Sequence, residues 1–231
     1  MYFTTRGIKA TDLEKDQFKG ERVFGIGTGP SIKAIDPDSI AGEYIWGSGL
    51  SYQLPFDFDF YSVTEQMRLR EVEKNIRDWD IPKFYNRHFQ ADEMEELYGY
   101  DNDVAPPEWR TTEARHVGID TVPQFGFAPD LEWVCHMPEA SIVSGVVQPA
   151  VWLGFTEIYL LGCDFSGTYS NGNSRVVHAP KWIEANLNNL TKYMNEHYPD
   201  ITVKNLSAPW DDPKFGDSLL MEYGTLEEVL G

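Results

Sequence analysis

The sequence predicts a three-layer, Rossmann-like α/β fold with a mostly parallel sheet, in a single domain that spans residues 1–231. Short, continuously apolar runs alternate with amphipathic stretches, the pattern of parallel strands joined by crossover helices. A glycine-rich loop follows the first of these runs. At 231 residues, 42% of them hydrophobic, the chain is long enough to bury one full core.

In the first half, a buried strand over residues 22–27 runs into the glycine loop, and a short helix starts over 31–35. We expect this strand to lie in the interior of the sheet. Further strands are predicted over 44–47, 58–63 and 83–86, and a short helix over 91–98. Ser62-Val-Thr-Glu65 has the spacing of a capping box. It predicts a helix with its apolar residues on one face: Leu69, Val72, Ile76 and Trp79.

In the second half, strands are predicted over residues 131–137, 157–165 and 201–206. The stretch 143–153 predicts a helix that Pro149 must bend. Proline is common in the first turn of a helix, and Pro180 is predicted to begin a long amphipathic helix. Between the halves, residues 99–129 are rich in Pro, Gly and Asp. An irregular segment of this length predicts a lid over a binding cleft.

The amino-acid composition disfavours some classes of binding partner. The formal charge of −18 disfavours binding to nucleic acid or to anionic membranes. No apolar run approaches the roughly 18 residues that a membrane span needs, and the first residues lack a signal-peptide core. The two cysteines, Cys135 and Cys163, lie in apolar runs and are expected to be buried thiols in a reducing compartment. The expected location is the cytoplasm, and homo-oligomerisation is left open.

The glycine loop, Gly25-Ile-Gly27-Thr28-Gly29-Pro30-Ser31, is the first candidate site. Backbone N–H groups between a strand and a helix start suit a phosphate, which makes Gly27, Thr28, Gly29 and Ser31 candidate nucleotide ligands. The alternative is a tight turn with no ligand. Pro30 stands where a dinucleotide fingerprint needs its third glycine, and the Gly-Lys-Ser/Thr of a P-loop does not occur. A methyltransferase-like loop would carry an acidic residue where this chain has Phe24.

Other polar side chains are expected at the same edge of the sheet. Ser48 and Ser62 follow or end predicted strands, and the polar loop 164–178 follows another. Because ligands of parallel sheets bind beyond the carboxyl ends of the strands, we expect these residues to line one site.

Three segments resemble, in the same order, the bacterial sialyltransferases that use CMP-sialic acid and the related domain of motility-associated glycosyltransferases. They are Gly27-Thr-Gly-Pro-Ser-Ile-Lys-Ala-Ile-Asp36, Leu153-Gly-Phe-Thr-Glu-Ile-Tyr-Leu-Leu-Gly-Cys-Asp-Phe165, and His178 before a long helix. The resemblance spans roughly residues 20–207 and is weak over 85–130.

The resemblance implies an inverting transfer of a sugar from a nucleotide-activated donor, such as CMP-sialic acid, to a hydroxyl of a glycan or small-molecule acceptor. It implies that His178 is the general base and that Tyr169 holds the departing phosphate. Thr28, Ser48 and Ser62 stand where the family has asparagines that contact the nucleotide. Ser144 is matched to a nucleotide-binding serine of the family, with Ser141 as the alternative from spacing. No cofactor is implied.

Asp57-Phe-Asp59 has the Asp-x-Asp pattern with which many glycosyltransferases bind Mn²⁺ or Mg²⁺. The pair precedes its strand and is expected at the edge opposite the candidate site, so we predict no metal site. Two other functions stay open. One is a pterin pyrophosphokinase-like enzyme, which would need Mg²⁺ carboxylates at the strand ends. The other is a non-catalytic nucleotide- or glycan-binding protein.

Overall fold

The structure, a computed structural model, describes residues 13–63, 69–86, 116–119, 121–122, 134–135, 142–164, 180–207 and 221–231. Ten strands are present in this part of the chain: β1 (Arg22–Ile26), β2 (Tyr44–Ser48), β3 (Phe60–Val63), β4 (Lys83–Asn86), β5 (His116–Ile119), β6 (Thr121–Val122), β7 (Val134–Cys135), β8 (Glu157–Leu161), β9 (Thr202–Asn205) and β10 (Glu222–Tyr223). The α-helices of the same ranges are α1 (Leu69–Ile76), α2 (Gln148–Trp152), α3 (Pro180–His197) and α4 (Leu226–Leu230).

Eight of these strands form one sheet in the order β10-β9-β8-β1-β2-β3-β4-β5. Each neighbouring pair is parallel. The predicted α/β fold with a parallel sheet is therefore confirmed. The strand that leads into the glycine loop is β1, and its position between β8 and β2 confirms the expectation that it lies in the interior of the sheet.

Two apolar layers cover the sheet. On one face, residues of α2 and α3 pack on the side chains of alternate strand positions, including Val23, Trp46 and Phe60. On the other face, α1 and two 3₁₀-helices, Pro30–Ala34 and Pro37–Ile40, pack on Phe24, Ile26 and Tyr61. Strands buried on both faces explain why the sequence shows continuous apolar runs where a half-exposed sheet would show alternation.

Three segments differ from the sequence prediction. The stretch 143–153 is a π-helical turn, Val143–Val147, that continues into α2. Of the strand predicted over 131–137, Val134–Cys135 is a strand, and it pairs with β6 in a separate two-stranded sheet. Within the expected irregular segment 99–129, His116–Ile119 forms the edge strand β5, held by backbone pairing with β4 that composition does not reveal. The other residues of that segment, apart from β6, and the short helix predicted over 91–98 lie outside the described residues.

Candidate functional site at the carboxyl edge of the sheet

The strand order reverses direction between β1 and β8. From β1 the chain adds β2 to β5 on one side, and it then returns to add β8 to β10 on the other side. In open parallel sheets, ligands bind in the crevice that opens at this switch point beyond the carboxyl ends of the strands. In this chain the switch point lies between the glycine loop after β1 and residues 162–164 after β8.

The glycines of the loop allow two backbones to approach closely. The N–H of Gly27 donates to the carbonyl of Leu161 at 2.7 Å, and the N–H of Gly29 donates to the carbonyl of Gly162 at 2.7 Å. A Cβ at Gly27 would lie 2.9 Å from Cys163 Sγ, and a Cβ at Gly29 would lie 2.7 Å from the carbonyl oxygen of Gly162. Residues 27 and 29 must therefore be glycine because the loop packs directly on the end of β8.

A carboxylate occupies the position where a phosphate was expected. The backbone N–H and the hydroxyl of Ser31 both donate to Asp164 Oδ2, at 3.1 and 2.8 Å. Together with the bonds of Gly27 and Gly29, this leaves the N–H groups of three of the four candidate phosphate ligands already satisfied within the fold. The donors of Ser31 thus serve Asp164, and phosphate binding by Ser31 stays a prediction.

Asp164 is the first residue of the loop 164–178 that the sequence places at this edge, although it was not singled out there as a candidate site residue. Its sequence signal was its place directly after a buried strand and Gly162, in the segment Gly-Cys-Asp-Phe. Gly162 has a φ of +65°, a left-handed conformation that turns the chain so that Asp164 faces the glycine loop. Asp164 is half-buried.

Ser48 ends β2 beside this loop. The side chain is 5% exposed. Ser48 and Ser51 form a capping box in which the Ser48 side chain faces the backbone N–H of Ser51, while the Ser48 hydroxyl proton has no acceptor among the described residues. The backbone N–H of Ser48 donates to Ser51 Oγ at 2.8 Å. The loop that follows is held by Tyr61, whose hydroxyl donates to the carbonyl of Gly49 and accepts from the N–H of Tyr52, both at 2.8 Å. Ser48 is therefore held rigidly by its backbone while its hydroxyl proton is left for a further partner.

Ser62 belongs to the framework of the fold. It lies in β3, fully buried, where its hydroxyl donates to the carbonyl of Gly145 and accepts from Trp46 Nε1 at 2.8 Å. Its single proton is used by Gly145 and its oxygen by Trp46, so these bonds give no support to the predicted role of Ser62 as a nucleotide ligand. The predicted helix cap at Ser62 is also wrong, because the residue is in a strand and is bonded to a segment 83 residues away.

The segment that carries Ser144 packs over the same edge. The backbone of Ser144 lies in the π-helical turn Val143–Val147, which contacts β2 and β3. Gly25 in β1 makes room for this turn, since a Cβ there would lie 2.8 Å from Val146 Cγ1. The alternative Ser141 lies outside the described residues, as do the predicted catalytic residues His178 and Tyr169. The helix that follows His178 in sequence does begin at Pro180, as predicted.

The aspartate pair of the Asp-x-Asp pattern lies at the opposite edge of the sheet. Asp57 is exposed, whereas Asp59 is buried and accepts the N–H of Ile45 at 2.9 Å. The N–H of Asp59 in turn donates to the carbonyl of Ile45 at 2.8 Å. Asp59 thus secures the start of β2 and β3. The described residues contain no group of three His, Cys, Asp or Glu side chains placed to hold a metal ion.

Cys163 does not supply a nucleophile at this site. Burial, and secondarily the neighbouring Asp164, raise the pKa of its thiol far above its ordinary value. Its backbone N–H donates to Ser207 Oγ at 2.6 Å, and its carbonyl accepts from Asn205 Nδ2 at 3.0 Å. Cys163 therefore anchors the turn after β8 to the end of β9.

No helix in the described ranges is long and apolar enough to cross a membrane. No protein-family model matches the sequence, and no curated protein matches it. A comparison with solved structures aligns the chain with the sialyltransferase CstII from Campylobacter jejuni, solved in complex with a substrate analogue, cytidine-5'-monophosphate. The alignment covers 85% of this chain and 84% of that chain, at 15% sequence identity and a TM-score of 0.42.

Proposed function

We propose that the carboxyl edge of the sheet, at the loops after β1 and β8, binds a nucleotide-activated sugar, and that the protein is an inverting, metal-independent glycosyltransferase. The observation that carries the proposal is that Ser48 and Asp164 lie at the switch point of a parallel sheet, beyond the carboxyl ends of its strands. The order of the three sialyltransferase-like segments supports the class of donor.

The orientation of the donor follows from charge. Asp164 would repel a phosphate placed on the glycine loop, but its half-buried carboxylate can accept hydrogen bonds from sugar hydroxyls. We therefore place the hydroxyl-bearing part of the donor over Gly27, Thr28 and Gly29, next to Asp164. The phosphate then lies toward Ser48 and the turn that carries Ser144.

The chemistry would follow the direct displacement that the resemblance implies. The acceptor oxygen attacks the anomeric carbon, the bond from that carbon to the phosphate oxygen breaks, and the nucleotide leaves with inversion. His178 takes the acceptor proton, and a position just before a helix N-terminus favours the neutral imidazole that this requires. Tyr169 donates its hydroxyl to the departing phosphate.

Ser48 gives a sharp test of ligand binding. A buried hydroxyl whose proton has no acceptor costs about 1–3 kcal/mol, which a ligand phosphate can recover. Ser48→Ala should therefore lower the affinity for the nucleotide about tenfold and leave the unliganded protein at least as stable as the wild type. Ser51→Ala is the matched control, because Ser51 Oγ accepts the N–H of Ser48 and its loss should destabilise the fold. An unchanged affinity in Ser48→Ala would contradict the proposed site.

Measurements of turnover distinguish the glycosyltransferase from the two alternative functions. Purified protein should consume a nucleotide sugar in the presence of EDTA, and His178→Ala should lower kcat by about 10²–10⁴ with little change in nucleotide affinity. His178→Gln should be nearly as slow. Strict dependence on Mg²⁺ would favour the pyrophosphokinase-like alternative, and binding without consumption would favour a non-catalytic binding protein.

A further inference from the structure

The helical segment formed by Val143–Val147 and α2 contains an irregularity with a visible cause. Residues Val143–Val147 form a π-helical turn, and Pro149 follows in the first turn of α2. In a continuous α-helix the N–H of residue 149 would donate to the carbonyl of Gly145. Proline has no N–H, and its ring collides with the carbonyl four residues earlier. The wider π-helical turn removes that collision, and π-helical turns are frequent at functional sites.

The carbonyl that Pro149 leaves without its α-helical donor is satisfied from the sheet. Ser62 Oγ donates to the oxygen of Gly145 and accepts from Trp46 Nε1 at 2.8 Å. Trp46 and Ser62 both have 0% exposure, so water cannot replace either bond. A chain of hydrogen bonds thus runs from β2 through β3 to the π-helical turn.

We propose that Pro149 and Ser62 are positioning residues that hold the turn Val143–Val147 in its π-helical form and thereby set the place of Ser144 at the nucleotide site. This inference rests on the proposed function for the role of Ser144. Gly145 directly follows Ser144, so the bond from Ser62 fixes the backbone next to it. Conversion of the turn to α-helix would remove one residue from the turn and rotate Ser144 by about 100° around the helix axis.

The two residues should be coupled in stability. Ser62→Ala leaves the Gly145 carbonyl without its donor, and it should lower the folding equilibrium constant about tenfold or more. In a Pro149→Ala background, the N–H of residue 149 can reach that carbonyl. Ser62→Ala should then lower the folding equilibrium constant by less than about threefold. Pro37→Ala is the control for losing a proline, because Pro37 stands at the start of a 3₁₀-helix, where its missing N–H has no helical acceptor. Pro37→Ala should leave the effect of Ser62→Ala unchanged.

The positioning role predicts a loss of affinity without a loss of stability. Pro149→Ala should weaken binding of the nucleotide, with CMP as the first probe in calorimetry, by about tenfold while the protein stays at least as stable as wild type. Additive effects in the stability cycle would overturn the proposal. So would coupling in the cycle together with unchanged affinity for the nucleotide in Pro149→Ala.

Failure of the proposed function would be recognised separately. If the wild-type protein binds no nucleotide, that function is wrong, whereas the stability cycle still reports on the bond between Ser62 and Gly145. A crystal structure of Pro149→Ala then decides the conformational claim. An α-helical 143–147 supports it, and a retained π-helical turn overturns it.

Discussion

Replacement of Asp164 by alanine tests whether its carboxylate satisfies the start of the 3₁₀-helix Pro30–Ala34 after β1, where the sequence predicts a phosphate. The change removes two hydrogen bonds to one ionised oxygen, from the Ser31 N–H at 3.1 Å and from its hydroxyl at 2.8 Å. Each bond is part-buried and should contribute about 1 kcal/mol, less than the ~1.5–3 kcal/mol typical of bonds to a charged group, because solvent screens the carboxylate. We therefore expect Asp164→Ala to lower the free energy of unfolding by about 2 kcal/mol.

Three further variants separate the contributions of the two hydrogen bonds to this loss of about 2 kcal/mol. Ser31→Ala loses the hydroxyl bond and should cost about 1 kcal/mol. Asp164→Asn keeps an acceptor oxygen but loses the charge, and should also cost about 1 kcal/mol. In the Asp164→Ala background, Ser31→Ala should cost almost nothing, which gives a coupling energy of about 1 kcal/mol. Urea unfolding followed by tryptophan fluorescence measures all four. An Asp164→Ala variant within about 0.5 kcal/mol of wild type, or additive single effects, would refute the reasoning.

The Asp164→Ala variant also distinguishes between two positions of the ligand phosphate. If the glycine loop held it, removal of the Asp164 charge would strengthen nucleotide binding, because two like charges would no longer repel each other. In the proposed orientation Asp164 accepts from sugar hydroxyls, and Asp164→Ala should weaken binding about tenfold. Calorimetry with the nucleotide gives the sign of the change, and tighter binding would return the phosphate to the glycine loop.

Three further outcomes follow from burial and close approach. Gly29→Ala should cost at least about 2 kcal/mol in chemical denaturation, because its Cβ would lie 2.7 Å from the Gly162 carbonyl, although its φ of −67° suits alanine. Burial raises the pKa of Tyr61, and burial with a bond to a carboxylate raises that of Tyr159 to about 12. The unfolded chain therefore loses these protons first, near pH 10, so that stability should fall as the pH rises above 10. Replacement of either tyrosine by phenylalanine should reduce this loss of stability, measured as the free energy of unfolding from pH 9 to 11. A variant whose free energy of unfolding falls as steeply with pH as that of the wild type would contradict the assignment. Cys163 should resist iodoacetamide in the native protein and react in urea, with the modified residue identified by peptide mass spectrometry.

Much of the sheet was predictable from local sequence. The limits predicted for β4 agree with the structure, and those for β1 and β2 differ by one residue. These strands are buried on both faces, so each appears in the sequence as a short apolar run that ends at a polar or glycine-rich turn. Strand β5 lacks such a run, because an edge strand is held by backbone pairing with one neighbour, and its side chains need not be apolar.

The candidate site was predictable as a place but not as a set of contacts. The alternation of strands and helices determined by itself that the glycine loop, Ser48 and the segment after β8 would meet at one edge of a parallel sheet. The partner of each polar group was decided only by tertiary structure. Asp164 reaches Ser31 across 133 residues of sequence, and Ser62 reaches Gly145 across 83. Such pairs arise because the crossover connections place distant strand ends side by side. Once buried there, each donor must take the nearest acceptor, whatever its distance along the chain.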